Sequence, residues 1–432
     1  MYKILIIIAT ACFAFSGSIS AQRVLSLDSC RALALENNAS LKCADNNIKS
    51  AREVNKMAYT HYFPNVKVEG SAFYSTDKLV SLDLQKELGV KYEALDHGWY
   101  TGVSVEIPIY AGGRINNAYK LSELGIKVRQ LEKARTEKEL IANVDKLYWQ
   151  LIKLEGKLHS VLQADTLLAE IARVAKSAVD NGVRNNNDFL QVQLRQNTNK
   201  SIASKLRHGI IVSRMLLAQY IGIEDDKLVV DSYDDILHRR DKNQPPVATT
   251  GSNDSVADDA YQTTEYALLQ QKVKSAEIDV KLERGKLLPK FGVGLSYSVE
   301  NMLGTSHGGM LLATLSIPIS DWWGGSHAVK SKKLELQNAR YALTDNMQKL
   351  NIKIKSLRLD IDDAKYQMDV AAESIEQAKE NVRINRSSYE AGMSLMSDLL
   401  AAQNSLQQAE SSFVDAYAEY QIKVSEYQQA IR

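Results

Sequence analysis

The chain has 432 residues, 45% hydrophobic and 24% charged, with 22 Gly but only 6 Pro, a composition that favours long helices. Its 53 basic and 52 acidic residues leave a formal charge of +1, which excludes a basic nucleic-acid surface and an acidic disordered tail. Seven scattered histidines form no HExxH or Cys/His spacing, and no GxSxG or Walker motif is present, so neither a metal centre, a cofactor nor an enzyme is expected.

Residues 1–21 read as a secretory signal, with Lys3, an apolar core from Ile4 to Phe15 and small residues from Ser18 to Ala21. That core is too short to span a bilayer. Cys12 lies inside it without a lipobox, so the signal is a plain one. Cys30 and Cys43 remain. On one helix they would be about 20 Å apart, which makes them free thiols. Asp28 is placed to cap a short helix to Asn37, and a second helix runs from about Ser40 to Tyr62.

The period then changes from helical to two. Val66, Val68, Gly70, Ala72 and Tyr74 alternate with Lys67, Glu69, Ser71 and Phe73. Three further runs behave alike, giving strands at about 64–75, 99–110, 290–300 and 310–320. Each is about ten residues, the length of a tilted membrane strand. Tyr62, Phe63, Trp99, Tyr100, Tyr110, Trp322 and Trp323 cluster near the strand ends, where an interfacial girdle sits. Two hairpins of a soluble sheet would share the alternation alone.

Downstream of Gly112-Gly113, Leu140, Val144, Leu147, Leu151, Leu154, Leu158 and Val161 alternate in steps of four and three. After Gly324-Gly325 the same alternation runs from Leu343 through Met347, Ile354, Ile361 and Met368 to Val382. It resumes on a last helix with Leu399, Ala402, Leu406, Ala409, Phe413, Ala416 and Tyr420. Sustained 3.5 periodicity specifies coiled-coil packing. A helix of roughly 68 residues is on the order of 100 Å long, the reach of a tube across the periplasm. Residues 221–262 form a linker, polar over 238–260 with Pro245-Pro246.

The two halves, 22–220 and 263–432, are copies of one pattern. Ile48-Lys49-Ser50-Ala51 recurs as Val273-Lys274-Ser275-Ala276 at an offset of 225, and Ile107-Pro108-Ile109 as Ile317-Pro318-Ile319 at 210. The 15-residue difference lies in the loop 76–98, which is expected outside the cell. Four strands cannot close a barrel, and open edges in lipid leave backbone groups unsatisfied. Three copies give twelve strands and room for a water-filled lumen, so the expectation is a homotrimer with Lys67, Glu69, Glu106 and Glu300 facing that water.

The segment LSLDSCRALALENNASL, the strand starts FPNVKVEG and LPKFGVGL, the segments IPIYAGGR and IPISDWWGG, and the tips NGVRNNNDFLQVQ and YEAGMSLMSDLLAAQ together resemble TolC-type outer-membrane efflux proteins. The resemblance spans essentially the whole mature chain in order. It implies a mainly α fold with membrane β-strands, as a homotrimeric twelve-stranded outer-membrane barrel continuous with a periplasmic coiled-coil α-barrel. Outer-membrane lipid would surround the barrel. The implied function is a passive exit duct for efflux or type I secretion, joined through a periplasmic adaptor to an inner-membrane pump. A periplasmic adaptor would carry one hairpin flanked by lipoyl-like segments, and a structural coiled-coil envelope protein would lack the paired strands.

The tips hold the informative residues. Gly182 and Gly392 terminate long helices, and Asp188 and Asp398 are placed to cap the returning ones. By resemblance, Asp398 belongs to a narrow acidic ring, and Asp188 and Tyr389 link neighbouring helices to hold the periplasmic mouth shut. The second acidic ring position is Ala401 here. The arginine expected two residues beyond the second tip glycine is Ser394, whereas Arg184 holds that place in the first copy. Gly182, Val183, Arg184, Gly392, Met393 and Ser394 are the candidates for adaptor docking. Met393 and Leu395 alternatively pack beneath their own turn.

Overall fold

The computed structural model describes residues 24–77, 80–84, 90–94, 96–224, 228–231, 260–301 and 305–431, with backbone alone for 80–84, 90–94 and Val229. The signal, Cys12 and most of the 221–262 linker lie outside the described residues. The chain divides into two compact units, one of residues 42–136 and 257–352 and the other of residues 1–41, 137–256 and 353–432.

The first unit is built on strands β2 (Asn65–Tyr74), β5 (His97–Ala111), β7 (Lys290–Asn301) and β8 (Thr305–Ser316), in the sheet order β2-β5-β7-β8. Every pair is antiparallel. The register turns the period-2 alternation into two unlike faces. Val68 pairs with Val103, which pairs with Tyr297, and Leu295 pairs with Leu311. On the other face Lys67 pairs with Ser104, which pairs with Ser296. Val66, Val68, Leu295, Leu311 and Leu315 are exposed on the apolar face. The outer edges of β2 and β8 have no strand beside them among the described residues.

Pro108 and Pro318, equivalent in the two copies, leave the sheet differently. Proline offers no N–H to a ladder. In β5 the register steps over Ile109, so that Pro108 opposes Gly292 and Tyr110 opposes Phe291. This bulge moves Tyr110, rather than Ile109, into line with the apolar face. In the second copy the strand stops at Ser316 and turns, with the Asp321 amide donating to the Pro318 carbonyl at 3.2 Å. The fourth strand therefore lies earlier than the 310–320 of the sequence pattern. Loop 76–98 holds a short pair, β3 (Val80–Leu84) with β4 (Val90–Ala94).

Helices α2 (Ala39–Thr60) and α5 (Thr264–Lys286) lead into the sheet, and α3 (Arg114–Asp180) and α6 (Asp321–Glu390) leave it. Gly112 has φ 65° and Gly113 φ 71°, a left-handed turn that only glycine makes without strain. A Cβ on Gly285 would stand 2.6 Å from the Gly112 carbonyl oxygen, so the two backbones cross where neither tolerates a side chain. In the second copy Gly324 and Gly325 lie inside α6, the Leu287 side chain occupies the space a Cβ on Gly325 would fill, and Trp322 Nε1 donates to the Leu287 carbonyl at 3.0 Å. Tyr59, Tyr62, Phe63 and Tyr119 form an aromatic cluster at the base of the sheet.

The second unit holds strand β1 (Val24–Leu25) paired in parallel with β6 (Val229–Val230), helix α1 (Leu27–Asn37), and the parts of α3 and α6 that meet α4 (Asn186–Ile221) and α7 (Met396–Ile431). Ser26, not Asp28, caps α1, its side chain accepting from the Ser29 amide at 3.4 Å. Asp28 lies in the first turn and pairs with Arg31 at 2.8 Å. Arg31 also grips buried Asp145 through two bonds of 2.7 and 2.8 Å, and Ser425 donates to the same carboxylate. This ties the start of the chain to α3 and α7. Cys30 and Cys43 are free thiols. Burial, with Asp231 and Asp145 nearby, pushes the Cys30 thiol up to about 12.

The coiled-coil seams are buried where the 3.5 period is strictest. Ile354, Ile361, Ala364, Met368 and Val382 of α6 are buried, as are Leu140, Val144, Leu151 and Val161 of α3. On α7 the deepest positions include Leu399, Gln403, Gln407, Val414 and Ala418. An apolar heptad search steps over the two glutamines.

Candidate functional site at the helical tips

Both hairpin turns are closed by the same hydrogen-bond pair. At the end of α3 the Val183 amide reaches the Ala178 carbonyl at 2.9 Å and the Gly182 amide reaches Val179 at 2.9 Å, with Gly182 at φ 70°. At the end of α6 Met393 reaches Ser388 at 2.8 Å and Gly392 reaches Tyr389 at 3.0 Å, with Gly392 at φ 78°. These are Schellman closures around a left-handed glycine.

The returning helices start differently, and here the capping expectation needs correction. Asn185 caps α4, accepting from the Asn187 amide at 3.1 Å, and Asp188 stands in the first turn. Its carboxylate accepts instead from the Tyr389 hydroxyl at 3.2 Å. Asp398 does serve its own helix: it accepts from the Leu395 amide at 3.2 Å, the reciprocal half of a capping box. Two aspartates at equivalent positions therefore do unlike work.

Tyr389 is 5% exposed and packs with Leu168, Ile171, Val192, Met396 and Leu399. Burial, then the Asp188 charge, raises its hydroxyl above the ordinary phenol value, so it stays a proton donor. Arg184 comes from the first tip and crosses to the second. Its Nη2 donates to the Tyr389 carbonyl at 3.3 Å, and its guanidinium carbon lies 4.9 Å from the centre of the Tyr389 ring. The structure thus brings Asp188, Tyr389 and Arg184 together, while Asp398 is exposed on its own turn.

Arg184 and Ser394 are half-buried and hydrogen-bonded within the tips, whereas the other tip candidates are exposed. Val183 is 73% and Met393 78% exposed, and Leu395 is exposed with them, so Met393 and Leu395 do not pack beneath the turn. Ser394 hydrogen-bonds the Asn385 carbonyl at 3.5 Å. Links absent from the sequence reading are Arg386 with Glu170 at 3.3 Å and Arg195 with Gln407 at 3.0 Å and Asn404. In sequence these resemble solvated charges, and only the pairing of hairpins gives them partners.

In the sheet unit, Lys67, Glu69 and Glu106 line a concavity of about 300 Å³ together with Ser104, Ser296, Met310 and Leu312. Among the described residues no helix is long and apolar enough to cross a membrane, and no group of three or more His, Cys, Asp or Glu is arranged to hold a metal.

The sequence profile of the family described as outer membrane efflux protein matches residues 31–222 and 267–431. A comparison with curated protein sequences finds no match. Among solved structures, the outer membrane protein VceC of Vibrio cholerae superposes with a TM-score of 0.75 at 13% identity, covering 94% of this chain and 95% of that one. The CmeC outer membrane channel of Campylobacter jejuni gives 0.75 at 16% identity, covering 94% and 85%. The open state of the MtrE outer membrane channel of Neisseria gonorrhoeae gives 0.73 at 18%, covering 94% and 88%.

Proposed function

Because this chain belongs to the outer membrane efflux protein family and resides in the outer membrane, reaching into the periplasm, we propose that three copies form a passive exit duct for an efflux or type I secretion system. The carrying observation is the four-stranded sheet, apolar on one face and polar on the other, with both outer edges unpaired among the described residues. In hydrocarbon those edges require strands from further copies. Unpartnered apolar rows on the helices point the same way: Leu190, Leu194, Ile211 and Met215 on α4, and Leu359, Tyr366, Val370 and Ile384 on α6.

In this reading Asp188, Tyr389 and Arg184 hold the periplasmic mouth closed, and three Asp398 carboxylates around the axis favour cations. Exposed Val183, Met393 and Leu395, beside Gly182, Gly392 and Ser394, receive the hairpins of a periplasmic adaptor, which links the duct to an inner-membrane pump. No energy-coupling motif exists in the chain, so the driving force belongs to that pump. Imaging of purified protein in detergent tests the assembly. Threefold particles with a continuous tube support the reading, and a monomer in every detergent overturns it. A cysteine introduced at Gly392 should cross-link to the adaptor in intact cells.

A further inference from the structure

In the unit that carries the tips, large apolar side chains are buried in two separate clusters. One surrounds Tyr148, Leu151, Ile152, Leu217 and Val414, and the other surrounds Leu168, Ile171, Val192, Met396 and Leu399. Between them the buried positions include Val161, Ala164, Ala203, Val382 and Ala402 together with Asn199, Gln403 and Gln407. Asn199 is 1% exposed, and neither its Oδ1 nor its Nδ2 has a partner in the chain. Gln403 is 3% exposed; its Nε2 donates to the Ala164 carbonyl at 2.9 Å, while its Oε1 has none. Gln403 lines a cavity of about 210 Å³ between α3 and α7, with Gln163, Gln407 and Glu410 and the apolar Ala164, Leu167 and Leu406 around the same space.

A layer of small apolar side chains and carboxamides buries less apolar surface than the clusters around Tyr148 and Leu168, and a cavity of this size has room for several waters beside the carboxamides. Buried amides without partners require that water. We propose that this layer is a hydrated hinge, on which the tip hairpins move while the cluster around Tyr148 stays packed. Small side chains let helices slide and rotate, and water re-forms the amide hydrogen bonds at each position. The Arg195 contact with Gln407, 3.0 Å long, limits the travel by tying α4 to α7. The inference rests on the tips being a mouth that opens, and the hinge itself is measured separately from that opening.

Amide hydrogen exchange on the full chain in detergent is the test. Segments 159–167 and 401–410 should exchange about tenfold faster than 140–152 on one side and 168–175 on the other. Gln403→Leu and Asn199→Leu, which fill the layer with apolar groups, should each slow those segments by about tenfold. Exchange as slow as in the flanks of the unaltered protein overturns the hinge, as does faster exchange in both variants. Tyr389→Phe separates the two readings. If it leaves conductance unchanged while the layer still exchanges fast, the mouth reading falls and the hinge stands.

Discussion

The Tyr389 hydroxyl donates to the Asp188 carboxylate at 3.2 Å, joining residues that lie 201 positions apart, one in each copy of the duplicated chain. A bond to a charged acceptor contributes about 1.5 kcal/mol or more, roughly tenfold in an equilibrium. Tyr389→Phe and Asp188→Ala should each raise the open fraction about tenfold in planar bilayers, and the double variant should add little to either. Additive effects would show that the two residues act separately.

Arg184 reaches Tyr389 from the other side, and in the proposed gate it acts with Asp188. Arg184→Ala should also open the channel, whereas Val183→Ala, at an exposed neighbour, should leave basal conductance unchanged and weaken adaptor cross-linking. The reverse assignment of effects would return Arg184 to the docking surface.

Asp398 holds the Leu395 amide, so Asp398→Ala should cost about 1 kcal/mol of local helix stability. It should also lower cation selectivity if three carboxylates line the mouth. A stability loss with unchanged conductance and selectivity would leave Asp398 a cap and nothing more.

Asp145 is buried against Arg31 and Ser425. Asp145→Ala leaves Arg31 with its exposed Asp28 pair and Ser425 without its acceptor, and should cost about 1–3 kcal/mol, seen as a lower denaturation midpoint and early proteolysis near the N-terminus. Pairing Arg31→Met with Asp145→Leu should recover most of the loss.

Burial lifts the Glu410 carboxyl above its ordinary value of 4.5, opposed by Lys379, Ser160 and His159. A raised folded value favours the protonated form in the fold. The stabilising contribution is therefore complete below about 4.5 and fades as pH climbs through the raised value. Glu410→Gln should be more stable than the parent at pH 7, with the difference shrinking toward pH 4.5 in thermal melts. A constant difference across that range would sink the argument.

What could be read in advance follows from which interactions are local. Strand alternation, coiled-coil seams and tip glycines are periodic or conformational, and they appear in the sequence as spacing. The bulge at Ile109 is hidden because parity runs on unbroken through Ile107 and Ile109; only the register against Gly292 and Phe291 reveals the extra residue. The β3–β4 pair lies inside loop 76–98, and its five-residue runs are too short to leave the ten-residue alternation that marks the membrane-length strands. Arg184 sits in an arrangement repeated at the other tip, so spacing alone carries no sign of which tip its side chain crosses to. Gln403 and Gln407 are polar, and a search for apolar seams passes over them although they lie deeper than the neighbouring Leu406.

The crossing of Arg184 to Tyr389 also constrains how such a chain could arise from a half-length ancestor. The position equivalent to Tyr389 in the first half is Val179, and the position equivalent to Arg184 in the second is Ser394. A ring of six first halves would hold arginines with no tyrosine to rest on, and a ring of six second halves would hold tyrosines with no arginine. The contact therefore needs one half of each kind, and the two halves of the chain are not interchangeable at their tips.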